Sequence, residues 1–175
     1  SANLYAHDVS LRGNRATKQG GGLYVESSDA FLTKLIASGN SADAGGAVAI
    51  DRTALVLSDA HLSSNTATGP GGALFASAST LAMHSVVAEG NLAGDVGGAV
   101  ALLDASVGSI ILSTMEGNRV ASQSSGGPSS CKARGGGACG CSDASRLRLF
   151  ASTARANSAT NGLGGAVLAT DCTLE

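Results

Sequence analysis

The phrase Gly45-Gly46-Ala47-Val48 recurs through the chain at nearly constant intervals. It returns as Gly71-Gly72-Ala73-Leu74, Gly97-Gly98-Ala99-Val100, Gly136-Gly137-Ala138-Cys139 and Gly164-Gly165-Ala166-Val167. Gly20-Gly21-Gly22-Leu23 is a looser copy. An Asn precedes each one: Asn14, Asn40, Asn65, Asn91, Asn118 and Asn157. These Asn are separated by 26, 25, 26, 27 and 39 residues. Self-similarity at such a period specifies a stacked array, because one unit this short cannot bury its apolar face alone.

Within each period the apolar residues step by two, the mark of a strand with one buried face. After the Gly pair come Leu23, Val48, Leu74, Val100, Cys139 and Val167, and two residues on come Val25, Ile50, Ala76, Leu102, Cys141 and Ala169. The residue between them varies and is read as outward, so Tyr24 and Phe75 would share an exposed column. A second piece leads up to the Asn, with apolar positions ten, eight, five and three residues before it. For Asn65 these are Leu55, Leu57, Ala60 and Leu62. The step from eight to five breaks the alternation and implies a bend. Each period thus holds two or three short strands, joined by turn formers such as Asp51-Arg52-Thr53 and Ser77-Ala78-Ser79. If one period makes one closed turn, every strand pairs in parallel with its counterpart in the next coil. The expected fold is an all-β parallel β-helix of about six coils.

Composition agrees with a thin layered core. The chain has 25 Gly, no Trp, two Tyr and three Phe among 175 residues, yet 43% is apolar. Net charge is −2 and no basic run occurs, so a nucleic-acid partner is not expected. No apolar stretch reaches spanning length, so no membrane span is expected in these residues. Residues 1–175 read as a single β-helix unit, taken as a segment of a longer chain.

An inward Asn at a turn lies one rung from the next. Its amide can donate to the neighbouring Asn carbonyl and satisfy turn backbone groups. The six Asn are therefore predicted to form a structural ladder. Residues 119–134 depart from the period: 17 residues lie between Asn118 and Gly136, where other coils have four to six. They are expected to leave the rod as an inserted loop. Four Cys fall late, Cys131, Cys139, Cys141 and Cys172, and are disulfide candidates with the pairing open. Disulfides would place the chain in an oxidising, extracytoplasmic setting.

Chemistry is sparse. No catalytic residue is assigned. Asp104, Asp143 and Asp171, with Asp51, follow the same strand in their coils. Stacked one rung apart they would suit calcium, which takes several oxygen ligands. The preferred reading is that these Asp are turn residues whose side chains hold local N–H groups. No metal or other cofactor is otherwise implied. The three His do not cluster, and no nucleophile elbow occurs.

The Gly-Gly-Ala-(Val/Leu) phrase, paired with a short motif ending in Asn, resembles the repeats of the polymorphic outer membrane protein family. Those repeats pair GGA(I/L/V) with F-x-x-N. The first half matches at Gly45, Gly71, Gly97 and Gly164, and Cys139 replaces the aliphatic residue after Gly136. The second half matches at the Asn alone; Leu11, Ala37, Leu62, Ala88, Met115 and Ala154 stand where the family has Phe. The resemblance implies a right-handed parallel β-helix and a surface-exposed, adhesin-like role. The expected function is structural: an extracellular or cell-surface segment serving as rigid spacer or assembly surface. Its partners would be flanking coils, other subunits or glycans. The alternative is a carbohydrate-active enzyme or glycan-binding module on the same scaffold. Open coil ends are unpaired strand edges, so the isolated segment is expected to self-associate.

Overall fold

The computed structural model describes residues 2–121, 135–160 and 162–175. These residues form strands and turns, with no helix among them. Each complete coil has four sides, and equivalent sides stack into four parallel sheets.

Sheet I holds the strands after the Gly pairs: Leu23–Glu26, Val48–Asp51, Leu74–Ser77, Val100–Leu103, Cys139–Cys141 and Val167–Ala169. Sheet II has seven strands: Asn3–His7, Asp29–Thr33, Ala54–Ser58, Thr80–His84, Val107–Ile111, Ser145–Phe150 and Cys172–Leu174. Sheet III holds Ser10–Arg12, Ile36–Ser38, His61–Ser63, Val87–Glu89, Thr114–Glu116 and Thr153–Arg155. Sheet IV holds Ser41–Ala42, Thr66–Ala67, Leu92–Ala93, Arg119–Ala121 and Ser158–Thr160. The chain is a parallel β-solenoid of about six turns. Val48, Leu74 and Val100 pair directly across three successive coils.

The sequence showed two or three strands per period; the fourth follows the Asn. Sheet IV strands of two residues are too short for alternation to register. The predicted insertion also begins later than its spacing implied. Arg119–Ala121 form a regular sheet IV strand, paired to Leu92-Ala93 on one side and Ser158–Thr160 on the other. The remainder of that loop, 122–134, lies outside the described residues, as does Cys131.

Single residues in the left-handed region turn the corners. Six positions before each Asn stand Asp8, Lys34, Asp59, Ser85, Leu112 and Ala151, all with φ between 48° and 56°. This is the bend that the broken alternation marks. At the Gly pair two different constraints act. Gly45 has φ 62°, where a side chain would be strained. Gly46 is instead held by close approach: a Cβ there would collide with the Gly72 carbonyl oxygen of the next coil. The 27-residue interval arises because Asp104 and Ala105 both take positive φ at a corner that Ala78 turns alone.

The bore is filled by stacked aliphatic columns, including Leu32, Leu55, Leu57, Leu62, Leu74, Leu81 and Met83, all buried. Volumes compensate across the bore. Ala76 shares its coil with Leu81, whereas in the next coil Leu102 faces Gly108. The Leu102 side chain occupies the space that a Cβ on Gly108 would take.

A second small core lies outside the bore. The outer side of sheet I was expected to be exposed, but Ala49, Phe75, Ala101 and Leu168 are buried. Ala44 and Val96, from the segments leading into the Gly pairs, pack on them. Phe75 is only 6% exposed while Tyr24 in the same column is 42% exposed. The column expected to expose both Tyr24 and Phe75 therefore exposes Tyr24 and buries Phe75.

Candidate functional site: polar ladders, rod ends and outer faces

The most ordered polar feature is the Asn column. The backbone N–H and Nδ2 of Asn40 both donate to Oδ1 of Asn65, each at 3.0 Å. Asn65 donates likewise to Asn91 at 2.9 and 3.0 Å, and Asn91 to Asn118 at 3.0 and 2.9 Å. Asn14 to Asn40 and Asn118 to Asn157 complete the column. The remaining amide proton reaches back one coil. Asn65 Nδ2 donates to the Ala37 carbonyl and Asn91 Nδ2 to the Leu62 carbonyl. Asn40, Asn65, Asn91 and Asn118 are fully buried. Each interior Asn thus uses both amide protons and both oxygen lone pairs, which offsets the cost of burying the group.

Sequence reading missed a second ladder. The Thr53 N–H donates to Ser79 Oγ at 3.0 Å, Ser79 N–H to Ser106 Oγ at 3.1 Å, and Ser106 N–H to Ser145 Oγ at 3.0 Å. Each of the first three hydroxyls donates back to a corner carbonyl, as Ser79 Oγ does to Ser77 at 2.6 Å. Such small hydroxyl residues had been read as ordinary turn formers. A shorter ladder runs from Val86 N–H to Ser113 Oγ, and from Ser113 N–H to Ser152 Oγ. It replaces the apolar column of Leu35 and Ala60 in the later coils.

The cysteines divide. Cys141 and Cys172 form a disulfide, with Cα atoms 5.9 Å apart. Cys172 reaches Cys141 because the chain has begun a seventh turn, in the Cys172–Leu174 strand. Cys139 is a free buried thiol, and burial pushes its pKa up to about 12. Its Sγ lies 3.1 Å from Met115 Sδ. It therefore stays protonated at neutral pH and is shielded from redox partners.

Asp104, Asp143 and Asp171 stand shortly after the sheet I strands of their coils. All three occupy left-handed corner positions, with φ 56°, 56° and 49°, which Asp tolerates better than most residues. Asp104 Oδ2 accepts from Ser77 Oγ at 2.7 Å, and Asp143 Oδ2 from Ser142 Oγ at 2.9 Å. Asp51 stands in the column of Ser77 and Leu103, one position from that of Asp104. Among the described residues no group of three or more His, Cys, Asp or Glu side chains is placed to hold a metal.

The outer surface carries isolated ion pairs, Arg52 with Glu26 and Asp51, and Arg155 with Glu116 at 2.6 Å. His61 pairs with Glu89 at 2.9 Å. On sheet II, Tyr5 and Phe31 stack with ring centroids 5.0 Å apart and planes 8° apart. They stand one above the other in adjacent coils, followed by exposed Val56. At the N-terminal end the bore opens into an apolar cavity of about 190 Å³, lined by Leu4, Ala6, Val9, Leu11, Leu23, Leu32 and Leu35 with Thr33.

The solenoid, its Gly turns and its in-phase Asn now give a frame for comparison with known proteins. Residues 8–26 match the Chlamydia polymorphic membrane protein repeat. That stretch contains Asn14 and the Gly20–Gly22 turn, and the same two features recur in the later coils. The chain is therefore built on repeats like those of the polymorphic membrane proteins, folded as a parallel β-helix. No curated protein and no solved structure matches the chain. Among the described residues no helix is long and apolar enough to cross a membrane.

Proposed function

We propose that this chain is a structural, adhesin-like segment of an extracellular or cell-surface protein. It acts as a rigid spacer that carries an interaction or assembly surface. The observation that carries the reading is the unbroken ladder from Asn14 to Asn157, which ties every coil to the next through the interior. Bending the rod would break buried hydrogen bonds that have no water to replace them. The Cys141–Cys172 disulfide supports an oxidising compartment. The repeat match to a membrane protein family supports a place at the cell surface. Flanking coils or other subunits are the partners that the strand edges at either end of the rod suit. We read the chain as non-enzymatic and without a resident cofactor. The test is a polysaccharide lyase and hydrolase screen, with and without calcium, beside a surface-adhesion assay of bead-immobilised protein. Adhesion without turnover is expected; turnover lost on Asp104→Asn overturns the reading.

A glycan-binding role on the same rod is the second reading, favoured by the exposed Tyr5–Phe31 stack on the widest sheet. Pyranose rings pack their C–H faces on aromatic rings. A glycan array on the native chain and on Tyr5→Ala tests it; equal binding, or none, removes this reading.

A further inference from the structure

The corner between sheet IV and the glycine turn differs in length from coil to coil. Residues 41–44 form it in the Asn40 coil, one residue fewer than 15–19 before it and 66–70 after it. The Asn ladder on one side of the corner and the glycine turn on the other both stay in register. Each neighbour must therefore carry its extra residue as a bulge. The bulge shows in the hydrogen bonds: the N–H groups of Asp43 and Ala44 both donate to the Lys18 carbonyl, at 3.0 and 2.9 Å. The short corner is left as a recess between two longer ones. Bulges re-aim side chains and are frequent next to active sites.

A cleft of about 250 Å³ occupies that recess. Ser41 and Asp43 form its floor, Arg15 and Thr17 one wall, and Thr66 and Thr68 the other. It lies within the shaft, because Ser41 pairs with Arg15 in the coil before and with Thr66 in the coil after. These six side chains supply four hydroxyls, one carboxylate and one guanidinium. Thr68 Oγ1 donates to Asp43 Oδ1 at 2.5 Å, which orients the carboxylate and leaves Oδ2 to accept from a ligand. Among the described residues the Arg15 guanidinium makes no hydrogen bond or ion pair. A cation and an anion thus line one small space without pairing.

That lining selects a ligand class. Phosphate or sulfate would satisfy Arg15 but set like charge against Asp43. A neutral sugar would use Asp43 and the hydroxyls and leave Arg15 idle. A ligand with one carboxylate and several hydroxyls uses every group. Its carboxylate takes the paired N–H fork of Arg15, and its hydroxyls donate to Asp43 Oδ2 and exchange hydrogen bonds with Thr17, Ser41 and Thr66. Pockets for drug-sized ligands run to about 300–1,000 Å³, so this smaller recess suits a single sugar unit. We propose that the recess binds a uronic acid residue of an acidic polysaccharide, with Arg15 holding the carboxylate and Asp43 the ring hydroxyls. The proposal rests on the adhesin-like reading and names a ligand class for it. The site is separate from the Tyr5–Phe31 stack on sheet II.

Calorimetric and saturation-transfer NMR titrations of the 175-residue chain with methyl glucuronide test this, beside methyl glucoside and glycine. The native chain should bind the glucuronide in preference to the glucoside. Arg15→Gln should weaken the glucuronide at least about tenfold and bring it level with the glucoside. Asp43→Asn should weaken both sugars, and Tyr5→Ala neither. All three residues are exposed, so the fold should survive each change, which circular dichroism checks. No binding to the native chain, binding that survives Arg15→Gln, or binding lost on Tyr5→Ala overturns the proposal. So does glycine bound as tightly as the glucuronide, since the recess would then suit an amino acid. Failed titrations with bead adhesion intact leave the adhesin-like reading standing. Glucuronide binding by protein that does not adhere upholds the recess and removes that reading.

Discussion

Asn65 donates twice to a single atom, Oδ1 of Asn91, once from its backbone at 2.9 Å and once from its side chain at 3.0 Å. Removing the Asn91 side chain strands those two donors and takes one donor each from the Leu62 carbonyl and from Asn118 Oδ1, which keeps the residue 91 backbone N–H. At about 1–3 kcal/mol for each buried group left unpaired, Asn91→Ala should cost at least about 2 kcal/mol. Asn14→Ala, at the exposed end of the same column, should cost about 1 kcal/mol or less. Urea denaturation of both variants checks the contrast; equal losses would show that the ladder does not act as a buried network.

Leu102 and Gly108 are expected to be coupled. Leu102→Ala opens a cavity and should cost about 2–5 kcal/mol. Gly108→Leu overfills the same space and should cost about 1–3 kcal/mol. The double variant reproduces the Ala76 and Leu81 pairing of the preceding coil and should recover most of the loss. A double-mutant cycle with no interaction energy would refute the packing relationship.

Cys139 should make the rod alkali-sensitive. Its folded pKa is raised from 9.0 to about 12 by burial, so its stabilising effect is full below pH 9 and lost as pH rises towards 12. In that window the unfolded chain has released a proton that the folded chain keeps, so stability falls, at a limiting slope of about 1.4 kcal/mol per pH unit. Cys139→Ala should remove this component. Melting curves of both proteins at several alkaline pH values measure it.

The outer core should be energetically real. Phe75→Ala should cost about 3 kcal/mol, within the range for a buried aromatic side chain. Tyr24→Ala, in the same column but exposed, should fall near or below about 0.5 kcal/mol. Matching losses would mean that Ala44 and Val96 do not cover Phe75 in solution.

Stacking explains which features could be read from the sequence. A coil that repeats its cross-section forces one residue class into each column, so Val48, Leu74 and Val100, like the six Asn, announce themselves by phase. The hydroxyl ladder carried the same signal: Thr53, Ser79, Ser106 and Ser145 each stand twelve residues before their Asn. It was overlooked because Ser and Thr are also ordinary turn residues. Phe75 could not be read as buried, since its cover comes from Ala44 and Val96. The position before each Gly pair holds mixed residue types, Gln19, Pro70 and Gly135 among them, so no apolar column marks it. The Cys141–Cys172 pair depended on where a seventh turn begins, which spacing does not reveal.

The extra residues that follow Ala121 leave no trace in the stacking around them. Asn118 meets Asn157 at 2.9 and 3.0 Å across the 39-residue interval, as other rungs do across 25 to 27. The corner between sheet IV and the glycine turn is consequently a graft point. Foreign peptide placed there should be displayed outward at a defined height on the shaft, while the scaffold beneath keeps its register.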